Sequence, residues 1–126
     1  MYPAYRTTRK KIFISFDFEH DRNYRYLLSA LDKNTSSDVS FEDFTPSEIQ
    51  SSDVGRMKAA LTRKLTVATH ALVIVGKYAN TPHPDRVLIG TLNWQWWEIE
   101  KAKSLGKRLV GVKIEPSNPT PSPLLR

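Results

Sequence analysis

One helical turn, Trp94-Gln95-Trp96-Trp97-Glu98, holds an aromatic ring and a carboxylate four positions apart. That spacing puts the Trp94 and Glu98 side chains on one helix face, one turn from each other. A second candidate set lies far upstream, where the apolar run of "KIFISFDFEHD" passes into a polar loop at Ser15, Phe16 and Asp17. In an α/β sheet, ligand loops follow the carboxyl ends of strands. A lone carboxylate near a phosphate-sized loop is the equipment of a site that binds or cleaves a nucleotide. Ser15 and Phe16 offer backbone groups and an aromatic face, and N–H groups opening the following helix suit a phosphate. Each residue also has a plainer reading. Glu98 would otherwise be a surface carboxylate near Lys101 and Lys103, and Asp17 a cap for the loop or helix rather than a ribose ligand. Trp94 reads as a wall of the site, Trp96 as core, and Trp97 is open between the two.

Other chemistries are excluded or left without support. No glycine-rich fingerprint is present, so this is neither a Rossmann dehydrogenase nor a P-loop protein. The chain has no cysteine, hence no disulfide, thiolate metal site or cysteine nucleophile. His20, His70 and His83 are scattered without metal-ligand spacing, and no metal is expected. His70, at a strand edge, reads as structural, whereas His83 lies in a long loop near the site. The net charge of +6 gathers partly in Arg6, Arg9, Lys10 and Lys11. No acid occurs between Asp53 and Asp85, a stretch that carries Arg56, Lys58, Arg63, Lys64 and Lys77. Such a balance attracts phosphate-bearing ligands. With no aromatic-rich basic patch or reading motif, a solvated basic helix face is the expectation rather than a nucleic-acid site. No apolar run has signal-peptide or membrane-spanning length, so a soluble cytoplasmic protein is expected.

The elements that must hold these residues alternate. Residues 11–16 form a buried strand, and Asp21 caps a helix carrying Tyr24, Leu27, Leu28 and Leu31. A short strand at 39–43 is followed by the loop "FTPSEIQSSD", with Asp53 or Ser52 as N-cap of a helix marked by Val54, Met57, Leu61 and Leu65. "HALVIVG" is apolar enough for burial on both faces. The proline-bearing loop "KYANTPHPDRVLIG" then leads to a helix from about Thr91 to Leu105, with Leu92, Trp96 and Ile99 as its core stripe and Gly106 as its stop. "RLVGVKI" is the last strand. The alternation predicts an α/β, flavodoxin-like three-layer sandwich with a parallel sheet of order 2-1-3-4, a fifth strand being short or absent. Its switch point falls between the first and third strands. The 126 residues divide into a basic segment 1–10, one domain at 11–115 and a proline-rich tail at 116–126 that cannot be a regular helix or a central strand.

Three segments in this order resemble a TIR-like domain of the bacterial type found in Thoeris anti-phage defence systems. "IFISFDFEHDRNYRYLL" resembles the family's first strand, loop and helix. "VSFEDFTPSE" resembles its second strand and BB loop. "NWQWWEIEKAKSLGKRLVGVKI" resembles its third helix and fourth strand, with the Trp-x-x-x-Glu signature intact. The resemblance implies cleavage of the nicotinamide–ribose bond of NAD, with Glu98 catalytic and Ser15, Phe16, Asp17, Trp94 and Phe44 binding substrate. NAD is then substrate, no resident cofactor is required, and the product is an ADP-ribose-derived signal read by a partner effector. It also implies self-association through the BB loop at 44–52, whose apolar contacts are Phe44 and Ile49. The chain departs from the family where it ends before a last strand–helix unit and where Pro82-His83-Pro84 lengthens the loop before Trp94.

A fixed carboxylate suits this reaction because nicotinamide leaves neutral while the ribose becomes an oxocarbenium-like cation. Two other readings stand beside it. One is a non-catalytic TIR module that assembles through residues 44–52. The other is a nucleoside deoxyribosyltransferase-like enzyme, which also uses a Glu at an N-glycosidic bond.

Overall fold

Apolar strands separated by helices assemble, in the computed structural model, into one parallel sheet of order β2-β1-β3-β4. The structure describes residues 10–17, 39–42 and 53–125. The strands are β1 (Lys10–Ser15), β2 (Val39–Glu42), β3 (His70–Val75) and β4 (Arg108–Lys113). The helices are α1 (Val54–Val67), α2 (Arg86–Ile89), α3 (Trp94–Ser104) and α4 (Ser122–Leu125). β1 pairs with β2 on one side and with β3 on the other, Ile12 facing His70 and Ser15 facing Val73. β3 pairs with β4 from His70↔Arg108 to Val75↔Lys113. The chain therefore reverses direction across the sheet at β1, which places the switch point at the carboxyl ends of β1 and β3.

Side chains alternate across the pleat. One face carries Phe13, Ala71 and Val73, and α1 and α3 pack against it. Met57, Leu61 and Leu65 of α1 and Ala102 of α3 form one cluster with Phe13 and Ala71. Leu61 and Leu65 are fully buried, so truncating either to alanine costs about 2–5 kcal/mol. The other face buries Ile14, Phe16 and Ile74. The helix expected to follow Asp21, with Tyr24, Leu27, Leu28 and Leu31, lies outside the described residues.

Local sequence sets the ends of the helices. Asp53 caps α1, its carboxylate accepting from the Arg56 N–H at 3.0 Å. α3 starts at Trp94 rather than Thr91 because Asn93 caps it, accepting from the Trp96 N–H at 2.9 Å. It ends at Gly106, whose φ of 72° is the left-handed conformation a glycine adopts without strain. The loop before α3 contains one helical turn, α2, which its proline and turn residues did not suggest.

The prolines after Glu115 do not keep the tail off the domain. Pro121 and Pro123 are fully buried, and Leu124 packs on the cluster of Val73, Val75, Ala79 and Ile99. Asn118 Nδ2 donates to the Val75 carbonyl at 3.1 Å, and Lys103 Nζ donates to the Pro123 carbonyl at 3.0 Å. Contrary to the expectation from proline content, residues 122–125 form one helical turn. A proline at the start of a turn loses nothing, because the first N–H groups have no partner inside the helix.

Candidate active site

α3 presents a mixed face to the sheet. Its buried residues are Trp94, Gln95, Glu98, Ile99 and Ala102, so two polar side chains point inward at the carboxyl ends of β1 and β3. The expected stripe of Leu92, Trp96 and Ile99 is thereby rotated. Trp96 is only half-buried, and its indole N–H donates to Asn80 Oδ1 at 3.0 Å.

Glu98 is 1% exposed. Ser15, the last residue of β1, donates its hydroxyl to Glu98 Oε1 at 2.6 Å, across 83 positions of sequence. Burial away from water disfavours the charged form and pushes the Glu98 carboxyl from 4.5 up to about 8, with the Ser15 hydrogen bond pulling the other way. The side chain is therefore neutral at neutral pH in this conformation. Oε2, its second oxygen, is buried without a hydrogen-bond partner among the described residues.

Gln95, which the sequence reading passed over, holds the same strand ends. Its Nε2 donates to the Ser15 carbonyl at 3.1 Å and to the Ile74 carbonyl at 2.9 Å. One amide thus ties β1 to β3 where the sheet splits. A glutamine amid tryptophans carries no periodic signal. Its inward position one turn before Glu98, at i and i+3, is the only cue the sequence holds.

The other expected site residues divide. Ser15 and Glu98 are in contact, but Phe16 points to the opposite face, 3% exposed beside Ile14 and Ile74. Successive strand residues face opposite ways, so Ser15 and Phe16 cannot both turn their side chains toward Glu98. Asp17 is half-buried just beyond the strand end. Trp94 lies in the apolar cluster with Phe13, Met57, Leu61 and Ile89, its ring edge-on to Trp97 with centroids 5.8 Å apart. It is a core residue as much as a wall. Phe44 and the loop at 44–52 lie outside the described residues, as does His20.

The long loop is fastened to the start of α3. Asn93 Nδ2 donates to the carbonyls of Ala79 at 2.8 Å and Thr81 at 3.0 Å while its oxygen caps the helix. His83 Nδ1 accepts from the Asp85 N–H at 2.9 Å, and the His83 N–H donates to the Leu92 carbonyl at 2.8 Å. These contacts give His83 a part in folding the loop. Lys58, from the basic stretch, contacts the same loop, its Nζ donating to the Leu88 carbonyl at 3.1 Å. Among the described residues, no group of three His, Asp or Glu side chains could hold a metal ion. No helix among them is long and apolar enough to cross a membrane.

Residues 13–119 match the family described as Thoeris protein ThsB, TIR-like domain. No protein of curated function matches the chain in sequence. Solved structures share its fold, two of them as follows. A prokaryotic SEFIR domain aligns with a TM-score of 0.58 at 14% identity, over 93% of this chain and 83% of that one. A 2-desoxiribosyltransferase from Leishmania mexicana aligns with a TM-score of 0.57 at 16% identity, over 84% of this chain. The alignment spans 65% of the transferase's length. Likeness at these identities shows the α/β, flavodoxin-like fold alone.

Proposed function

The chain belongs to the TIR-like domain family of Thoeris protein ThsB, and from that premise we propose that it cleaves the nicotinamide–ribose bond of NAD, with Glu98 as the catalytic carboxylate. One observation carries the reading. A carboxyl group with no ion pair among the described residues is buried over the carboxyl end of β1 and held there by Ser15. A carboxyl group fixed at such a position can stabilise a developing cation once it is ionised.

In the reaction the bond between ribose C1′ and the pyridinium nitrogen breaks. Its electron pair leaves with neutral nicotinamide, and the sugar is left as an oxocarbenium-like cation. Water, an adenine nitrogen of the same NAD or an outside nucleophile then bonds to C1′, and the degree of water exclusion selects among them. The product is an ADP-ribose-derived signal for a downstream effector, in keeping with anti-phage defence. A substrate of this kind suits the cytoplasm. Glu98 is neutral and closed off in this conformation, so turnover needs a rearrangement that lets the nucleotide reach it. The positive pyridinium ribose then favours the ionised carboxylate. Residues 44–52 are the proposed self-association loop that would help wall the site.

The complete burial of Glu98 also supports a second reading, in which it is a neutral strut in a non-catalytic assembly module. Incubation with NAD and, separately, with pairs of deoxynucleosides, followed by chromatography, separates the readings. Nicotinamide release supports the first. Base exchange between deoxynucleosides points instead to a deoxyribosyltransferase. No product from either leaves the assembly module.

A further inference from the structure

β4 is an outermost strand of the sheet, and among the described residues nothing pairs with its free edge. The ladder to β3 fixes which backbone groups that edge carries. The Arg108 N–H donates to the Thr69 carbonyl and the Ile114 N–H to the Val75 carbonyl. Backbone polar groups alternate in direction along a strand, so residues 108, 110, 112 and 114 point toward β3. Leu109, Gly111 and Lys113 therefore turn their N–H and C=O groups outward, where no described residue meets them. The docked tail leaves them open, since Asn118 is bonded to Val75 and Pro123 to Lys103. The side chains add an apolar patch. Val110 and Val112 are 50% and 48% exposed. They stand beside Leu72 and Ile74 of β3, hence on the sheet face away from α1 and α3. β4 pairs with β3 over its whole length without a bulge, and its charges, Arg108 and Lys113, stand at its two ends. Native sheets seldom leave a regular edge with a bare Val-Gly-Val centre unpaired.

We propose that β4 pairs antiparallel with β4 of a second copy about a two-fold axis at Gly111, joining two sheets into one. The surface is complementary to itself, as a two-fold interface requires. In this register Leu109 faces the partner's Lys113 and Gly111 faces the partner's Gly111, so every outward N–H meets an outward carbonyl. Val110 stands opposite the partner's Val112, at a position without ladder hydrogen bonds where side chains lie closest. Arg108 falls opposite the partner's Ile114, so no like charges oppose each other. Just beyond the ladder, Lys107 comes beside the partner's Glu115. Its Nζ gives one donor to the Thr66 carbonyl at 3.0 Å and keeps the others. The alternative registers fit worse. An axis at Val110 sets Lys113 against the partner's Lys107, and like charges directly opposite are destabilising. An axis at Val112 runs Leu109 past the end of the partner's strand. The interface draws on neither the loop at 44–52 nor the residues around Glu98, so it stands apart from the NAD-cleavage reading.

The test exploits the absence of cysteine from the chain. Full-length Val110→Cys is mixed with Val112→Cys carrying a size tag, and the mixture is oxidised. Residues opposite each other without ladder hydrogen bonds have Cα atoms about 4.5 Å apart, which a disulfide spans. Like residues lie on the diagonal at about 7–8 Å, beyond its usual reach. The mixed product should therefore exceed either like product about 10-fold. Sedimentation of the wild type from about 1 μM to about 500 μM should show self-association, and Val112→Lys should weaken it about 10-fold or more. Joint replacement of Phe44 and Ile49 by Asp should leave the mixed cross-link in place. Mixed and like products in random proportion overturn the proposal, and that arm stands even where Val112→Lys fails to fold. A wild type that stays monomeric throughout also overturns it. So does loss of the mixed cross-link in the folded Phe44 and Ile49 variant, which would assign the association to residues 44–52.

Discussion

Replacing Glu98 with glutamine should change how stability depends on pH, by an amount the structure sets. Burial raises the Glu98 carboxyl from 4.5 to about 8. The folded protein thus keeps a proton there that the unfolded chain has already lost. The stability this contributes is fully present below about pH 4.5 and falls as pH rises toward about 8. At about 1.4 kcal/mol per pH unit, the loss reaches about 3 kcal/mol by pH 7 and about 5 kcal/mol at completion. That is a large share of the roughly 5–15 kcal/mol that holds a domain together. Glu98→Gln removes the titration. Its amide N–H₂ faces a site already short of partners, so a pH-independent offset is expected, but the slope assigned to Glu98 should vanish. Urea unfolding of both proteins from about pH 4 to pH 9 checks this. The difference between the two curves should tilt in favour of the variant as pH rises. Parallel curves across that range would falsify the assignment of Glu98 as a buried, neutral acid.

Ser15→Ala leaves Glu98 Oε1 without its donor and should cost about 1–3 kcal/mol. Because that hydrogen bond lowers the Glu98 titration, the same variant should move its midpoint further up in the pH series. Gly111→Ala places a Cβ 2.7 Å from Leu124 Cδ2. The Leu124 side chain must give way, and since its Cδ2 is the far end of a flexible side chain the cost should stay at about 1 kcal/mol, most of which adding Leu124→Ala should recover in a double-mutant cycle. A zero coupling energy would show that residues 122–125 do not pack on β4. Self-association through residues 44–52 should make NAD consumption rise more than linearly with protein concentration, and joint replacement of Phe44 and Ile49 by Asp should restore proportionality. Strict proportionality in the wild type, with monomeric sedimentation throughout, argues against assembly.

The elements closest to the sequence were the easiest to read from it. Apolar runs mark β1 and β3, Asp53 or Ser52 announces α1, with Asp53 the cap in the structure, and Gly106 announces the end of α3, because each signal is local. The inward face of α3 was not legible in the same way. Its buried residues include Gln95 and Glu98, so the most apolar stripe through Leu92, Trp96 and Ile99 was a poor guide to what faces the sheet. Trp96 is drawn outward by Asn80, and Trp94 inward by Phe13 and Leu61. Phe16 and Ser15 are neighbours in sequence, yet the strand pleat sends them to opposite faces. The docked tail was hidden for another reason. Proline content speaks against long regular elements but is silent on burial, and Pro121 and Pro123 pack without needing an N–H. The switch-point rule brings Glu98 to the carboxyl end of β1, close to Ser15–Asp17, but not to one particular partner there. The hydrogen bond between Ser15 and Glu98 is a consequence of tertiary structure, joining residues 83 positions apart.

Glu98 is proposed to stabilise a ribosyl cation. The most direct test of this role is nicotinamide release from NAD by the wild type and by Glu98→Gln, with circular dichroism confirming that both are folded. Measurable release by the wild type is expected, with a loss on the order of 10²-fold or more in the variant, as when one transition-state stabiliser is removed. Equal release by the two proteins, or none by the wild type with its loop at 44–52 intact and at high concentration, would contradict it.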